Sequence, residues 1–293
     1  YDDYLADIVT SSGKDKIAIR NAIEIIVNSK DFANSLKSNF MLIDGEDVGH
    51  NLRLIGNLAL SGILYYTGQI ISYLSKEKNL YDPKSEAARV VNVCLGGRAS
   101  LLYKVIMKHE KDQEELALLF SKATDGIVKQ EQVEFIFTDD PKHEVAHGLL
   151  VDMGGMTDLD TSKRCYDLLL GEDVEVDRNV VTYKTPVNDL DLEKQLRIID
   201  LNNIKKFADI LKESMGIIFD LSRKDESAIA AKINTTLVDS QHEALKAKEN
   251  GINIYDQEIM AESSRIEPPF IVALKEILER ISQNKIRIQS TRH

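Results

Sequence analysis

The fold turns on the stretch Arg89-Val-Val-Asn-Val-Cys-Leu-Gly-Gly-Arg-Ala-Ser-Leu-Leu-Tyr-Lys-Val105. Val90, Val91, Val93 and Leu95 are strand formers. Gly96 and Gly97 permit positive φ and let a flat group approach bare backbone. Arg98, Ala99 and Ser100 then open an amphipathic helix, whose free N–H groups and positive dipole end favour an oxygen-rich or anionic partner. A tight strand-to-helix turn uses the same residues without any ligand, so the meaning of the stretch depends on the rest of the chain.

The chain has 293 residues, 43% of them hydrophobic, enough for a real core in one large domain or two ordinary ones. Its formal net charge of -11, with no long basic run, argues against a nucleic-acid surface and against binding to anionic membranes. Cys94 and Cys165 are too few for a disulfide framework or a thiolate metal cluster. Both lie among apolar neighbours, so two core thiols in a reducing cytoplasm are expected. No basic-then-apolar order marks a signal peptide, and Tyr1 is not a natural start, so a fragment of a longer protein or a processed chain is expected. The absence of Trp and the 6% aromatic content speak against a sugar-stacking cleft or a single-strand platform.

Residues 1 to 40 carry apolar positions at helical spacing and fit two helices. Asp44, Glu46 and Asp47 form an acidic turn, read as a solvated loop rather than a cation site. From Asn51 to Leu74 runs the most apolar helix. Arg53, Asn57, Ser61, Thr67 and Gln69 interrupt it, whereas a membrane span needs about 20 predominantly apolar residues, so a buried helix is predicted. Its Gly56, Gly62 and Gly68 permit close approach of neighbours, and Tyr65-Tyr66 reads as core packing. Lys76 to Lys84 reads as a charged linker. Beyond the opening stretch, a helix around Glu114 to Lys122 precedes a strand from Gln132 to Thr138. Asp139-Asp140-Pro141 then starts another helix. Later segments read as an extended arm or hairpin over Val174 to Thr185, then helices over Leu201 to Phe219, 225 to 250 and Ile271 to Ile286.

Two separated motifs together resemble the second half of the nucleotide-binding fold shared by actin, sugar kinases and the heat-shock chaperone ATPases. Val93-Cys-Leu-Gly-Gly-Arg-Ala-Ser100 is similar to that family's adenosine motif, in which a strand ends in paired glycines lying against purine and ribose. Phe137-Thr-Asp-Asp-Pro-Lys-His-Glu-Val-Ala-His-Gly148 is similar to the segment that follows it, where a helix packs at the interdomain hinge. The resemblance implies that Gly96, Gly97, Arg98 and Ser100 hold the nucleoside of ATP or ADP, and that Lys142, Glu144 and Gly148 lie on the connection helix. Val151-Asp-Met-Gly-Gly-Met-Thr-Asp158 is similar to the family's second phosphate motif, in which Asp152 approaches Mg2+ and Gly154, Gly155 and Thr157 cradle phosphate. It follows the adenosine motif instead of preceding it, and a helix-ending Gly-Gly turn accounts for the same residues. The family's first phosphate hairpin and its catalytic acid have no counterpart here, so the resemblance implies no complete ATPase site.

His143-Glu144-x-x-His147 also matches the zinc-protease pattern, two histidines on one helical face with a glutamate base. His109, His242 and Glu172 are the candidates for a third ligand, none at a recognisable spacing, and no metal is assigned. The expected fold is α/β and mainly helical, an actin-like ATPase half-domain. A helical insert spans 1–82, a nucleotide-binding segment 83–152, and a helical C-terminal extension 153–293. The expected function is adenine-nucleotide binding as part of an actin-like or chaperone-like ATPase, with a protein partner on the acidic helical tail. A non-enzymatic interaction module with a degenerate nucleotide site is the first alternative, and the zinc metalloprotease the second.

Overall fold

Leu54, Leu58, Ser61, Tyr65, Gln69 and Ser72 recur every three or four residues, so a helix aligns them on one face; all six are buried. That face is the inner side of α1 (Val48–Lys78), in a computed structural model that describes residues 42–43, 46–78, 90–96, 103, 110–137, 168–191, 193–249 and 266–291. The two helices predicted over residues 1 to 40 and the helix predicted after Pro141 fall outside the described residues. A short antiparallel pair, β1 (Leu42–Ile43) and β2 (Glu46–Asp47), precedes α1.

Helix α1 exceeds the predicted Asn51 to Leu74 at both ends and absorbs Lys76, which the sequence assigned to a linker. Ser75, Lys76, Glu77 and Lys78 contain no breaker, and Lys76 is held by Asp125 at 2.7 Å. Arg53–Glu77 is long and apolar enough to cross a membrane by length and composition, and 67% of its most apolar window is buried inside the protein. A Cβ at Gly68 would stand 2.6 Å from the Ala123 Cβ and 3.1 Å from the Ala123 carbonyl carbon, and one at Gly62 would strike Leu274. These two glycines set how closely α1 is approached by its neighbours.

Strands β3 (Val91–Leu95) and β4 (Val133–Phe137) pair in parallel, Val91 opposite Val133 through Leu95 opposite Phe137. Parallel neighbours need a long crossover, and α2 (Glu110–Ala123) lies within it. Helix α2 starts a turn before the predicted Glu114, with Glu110 and Asp112 at its positive end. Val91, Val93, Leu95, Val133, Phe135 and Phe137 face the core, while Asn92, Cys94, Glu134 and Ile136 alternate onto an exposed face. Cys94 is therefore an exposed free thiol, contrary to the expected core position. The period of two puts it opposite Val93 and Leu95, which take the inner side.

Beyond Leu168 the predicted arm is a hairpin of β5 (Val174–Val176) and β6 (Asn179–Val181), with Asp177 and Arg178 both at positive φ in the turn. Strand β7 (Leu196–Ile198) adds to the other edge of β5. The single helix predicted over Leu201 to Phe219 is corrected. Helix α3 (Asn202–Met215) stops at Gly216, whose φ of 66° makes a left-handed cap. Ile217, Ile218 and Phe219 then form β8 (Ile217–Phe219), antiparallel to β9 (Ile288–Ser290). Helix α4 (Arg223–Glu249) follows, and α5 (Pro269–Ser282) starts two residues before the predicted Ile271 because Pro269 occupies its first turn. It ends at Ser282 rather than Ile286, the chain turning at Asn284 with φ 55° to enter β9.

The fold is thus mixed α/β and mainly helical, with five α-helices among the described residues. Its centre is aromatic. Tyr65 of α1 lies 5.2 Å from Phe207 of α3 and 5.4 Å from Phe270 of α5, and the last two meet edge-on at 5.8 Å between centroids. Leu116, Leu119 and Phe120 of α2 belong to the same buried cluster. Residues from 1–82, 83–152 and 153–293 all contribute to one core.

Candidate functional site

Gly96 follows the last residue of β3 and is exposed. Among the described glycines, positive φ occurs at Gly126, Gly171 and Gly216. Gly97, Arg98 and Ser100 lie outside the described residues, as do Lys142, His143, Glu144, His147 and Gly148. The same holds for Asp152, Gly154, Gly155 and Thr157, for Asp44, His109 and Cys165, and for the side chains of Glu46 and Asp47. The structure does bring the strands of the two motifs side by side. Because they run parallel with Leu95 opposite Phe137, the segments that follow them leave from one end of the sheet.

Glu172, one of the candidate third zinc ligands, is committed elsewhere. It is fully buried, and its two carboxylate oxygens accept the Asn203 N–H at 2.9 Å and the Ile204 N–H at 2.7 Å. Those N–H groups belong to the first turn of α3, where Leu201 at the cap position supplies no side-chain acceptor. Burial pushes the Glu172 carboxyl up to about 8 against the opposing pull of the two N–H groups, with Asp173 and Asp200 adding like charge. The adjoining Asn203 is saturated. Its side-chain NH2 donates to the Gly171 carbonyl at 2.6 Å and to Gln69 Oε1 at 2.9 Å, while its oxygen accepts from Tyr65 at 2.7 Å and Gln69 at 2.8 Å. Every buried member has a partner, so the network fixes α1, α3 and the 168–173 segment to one another. The other candidate, His242, is exposed on α4.

A charged cluster that the sequence reading missed lies at the surface end of this network. The Asp125 carboxylate accepts from Ser72 at 2.9 Å and Lys76 at 2.7 Å, with the Lys184 and Lys206 ammoniums at 3.6 and 3.9 Å. Asp125 sits in a left-handed turn with φ 54°. Partial burial pushes its carboxyl up, but the hydrogen bonds from Lys76 and Ser72 and the charges of Lys184 and Lys76 outweigh this and hold it at about 2. Both Lys184 and Lys206 lie over the Tyr183 ring, 5.7 and 5.9 Å from its centroid. The members are far apart in the chain and show no shared motif, so only the fold reveals them.

A cavity of about 580 Å³ lies between α2 and β4. Glu110, Glu114, Glu131 and Glu134 line it together with Val133 and Phe135. Among the described residues no group of three or more His, Cys, Asp or Glu side chains is arranged to hold a metal ion. Comparison with protein-family models, with curated proteins and with solved structures finds no match to the chain.

Proposed function

We propose that the protein binds an adenine nucleotide, as part of an actin-like or chaperone-like ATPase, at the end of the β3–β4 pair. The observation that carries this reading is the parallel, in-register pairing of the two strands that precede the two family-like motifs. Parallel α/β sheets bind ligands outside the carboxyl ends of their strands, and Gly96, Gly97, Arg98 and Ser100 follow such an end. In this reading the two glycines take the flat face of the base. Arg98 stacks on the base or approaches the ribose, and Lys142, Glu144 and Gly148 belong to the hinge helix. The actin-like half-domain is the finer fold that goes with the reading. The resemblance adds Mg2+ to the nucleotide, with Asp152 as the carboxylate nearest the metal. Hydrolysis is not assigned to this chain, and an exposed thiol at Cys94 is in keeping with a reducing cytoplasm.

A second reading, the non-enzymatic interaction module, is favoured by a different observation. Four glutamates, Glu110, Glu114, Glu131 and Glu134, surround a concave, partly apolar surface, which suits a basic partner. Calorimetric titration of the whole protein with ATP and with ADP separates the two. Saturable heat in the wild type that is lost in Gly97→Val is the expected result. No heat with either nucleotide in the wild type retires the first reading in favour of the second.

A further inference from the structure

Lys184 and Lys206 both approach the Asp125 carboxylate without hydrogen-bonding to it. Their Nζ atoms stand 3.6 and 3.9 Å from its oxygens, whereas Lys76 makes the short contact at 2.7 Å. An ammonium has three donors. Neither Lys184 nor Lys206 donates a hydrogen bond to another described residue, and their side chains are 43% and 44% exposed.

The positions of these two lysines are built. Lys184 sits in a turn pinned by the Gly171 N–H on the Tyr183 carbonyl at 2.8 Å and by the Tyr183 N–H on Asp173 at 2.9 Å. Lys206 lies in the first turns of α3, whose start is held by Glu172. Three ammoniums from three separate elements therefore converge on one carboxylate, in a chain whose formal net charge is -11. Asp173 is occupied by the Tyr183 N–H and the Asn202 side chain, and Lys122 and Glu213 pair with each other at 2.5 Å.

We propose that Lys184 and Lys206, backed by Lys76, form a binding site for a doubly charged oxyanion, phosphate or the terminal group of a phosphate monoester, with Asp125 as an internal counterion. An incoming dianion supplies acceptors for the free ammonium donors and shares the lysines with Asp125. The Asp125 carboxylate therefore competes with the ligand, and removing its charge strengthens binding. This site is separate from the nucleoside reading at Gly96 and Gly97 and does not rest on it.

The test is calorimetric titration of the whole protein with inorganic phosphate, and in a second arm with glycerol phosphate, at ionic strength held constant with chloride. Wild type binds phosphate. Asp125→Asn, which keeps a residue tolerant of the left-handed turn, binds roughly tenfold or more tightly because one repelling charge is gone. Lys184→Met with Lys206→Met, which keeps the apolar stems, abolishes binding while circular dichroism reports an intact fold. Glycerol phosphate binding like phosphate extends the site to monoesters, and its failure confines it to the free ion. The proposal is overturned if wild type does not bind phosphate, if the double lysine variant binds unchanged, or if Asp125→Asn weakens binding.

Discussion

Glu172 shows how one residue carries a helix. The first turn of α3 has orphan N–H groups, and Leu201 at its cap has nothing to offer them, so a carboxylate from thirty residues upstream takes the place of a local cap. Because burial raises this carboxyl from 4.5 to about 8, the folded protein holds a proton there that the unfolded chain releases. The corresponding stability is complete below pH 4.5, declines as pH rises, and is gone above about 8. Glu172→Gln should remove that slope and lower stability at pH 5 by about 1–3 kcal/mol, since the amide NH2 sets a donor against one helix N–H that an oxygen otherwise accepts. Urea unfolding of both proteins from pH 5 to pH 9 checks it: equal slopes for both would contradict the burial argument. From sequence Glu172 was legible only as a candidate third zinc ligand, at no recognisable spacing from His143 and His147. A cap supplied from a distant segment leaves no local spacing to read.

At the level of elements, α4 and α5 are tied by one ion pair. Asp225 closes a reciprocal cap with Ser222 at the start of α4, and its other oxygen accepts two bonds from Arg280 of α5 at 2.6 and 3.2 Å. The Ser222 hydroxyl and the Arg280 guanidinium hold the Asp225 carboxyl below the usual carboxylate range. Removing the arginine strands a charge whose side chain is only 10% exposed. Arg280→Met should therefore cost about 3 kcal/mol, read as a lower urea midpoint, and Asp225→Asn in the same background should recover part of it. Long periodic elements such as α1, and the alternating strands β3 and β4, were legible because their burial repeats over several residues. Strands β7, β8 and β9 have three residues each, too few for a period. Gly216 after Met215 was a usable stop signal for α3, but the apolar residues beyond it continued a helical pattern and masked the cap.

For the whole molecule, the aromatic centre of Tyr65, Phe207 and Phe270 draws on helices spread over most of the chain, and the β3–β4 pair packs its inner face on the same core. Two surfaces of opposite character follow from that assembly: the lysine cluster around Asp125 and the glutamate-lined cavity beside α2. Neither was legible in the sequence, because the lysine cluster forms only when α1, the turn after α2, the 183–185 turn and α3 meet, and the cavity only when α2 lies beside the 130–135 segment. The Gly96 turn was legible, because a strand, paired glycines and a helix start are contiguous. Hydrogen–deuterium exchange of the whole protein, with and without ADP, tests for a nucleotide at the end of the parallel pair. Bound ADP should slow exchange only in peptides spanning Val91 to Ser100 and Val133 to Gly148. Calorimetric binding without protection in either peptide, or protection elsewhere alone, would contradict it.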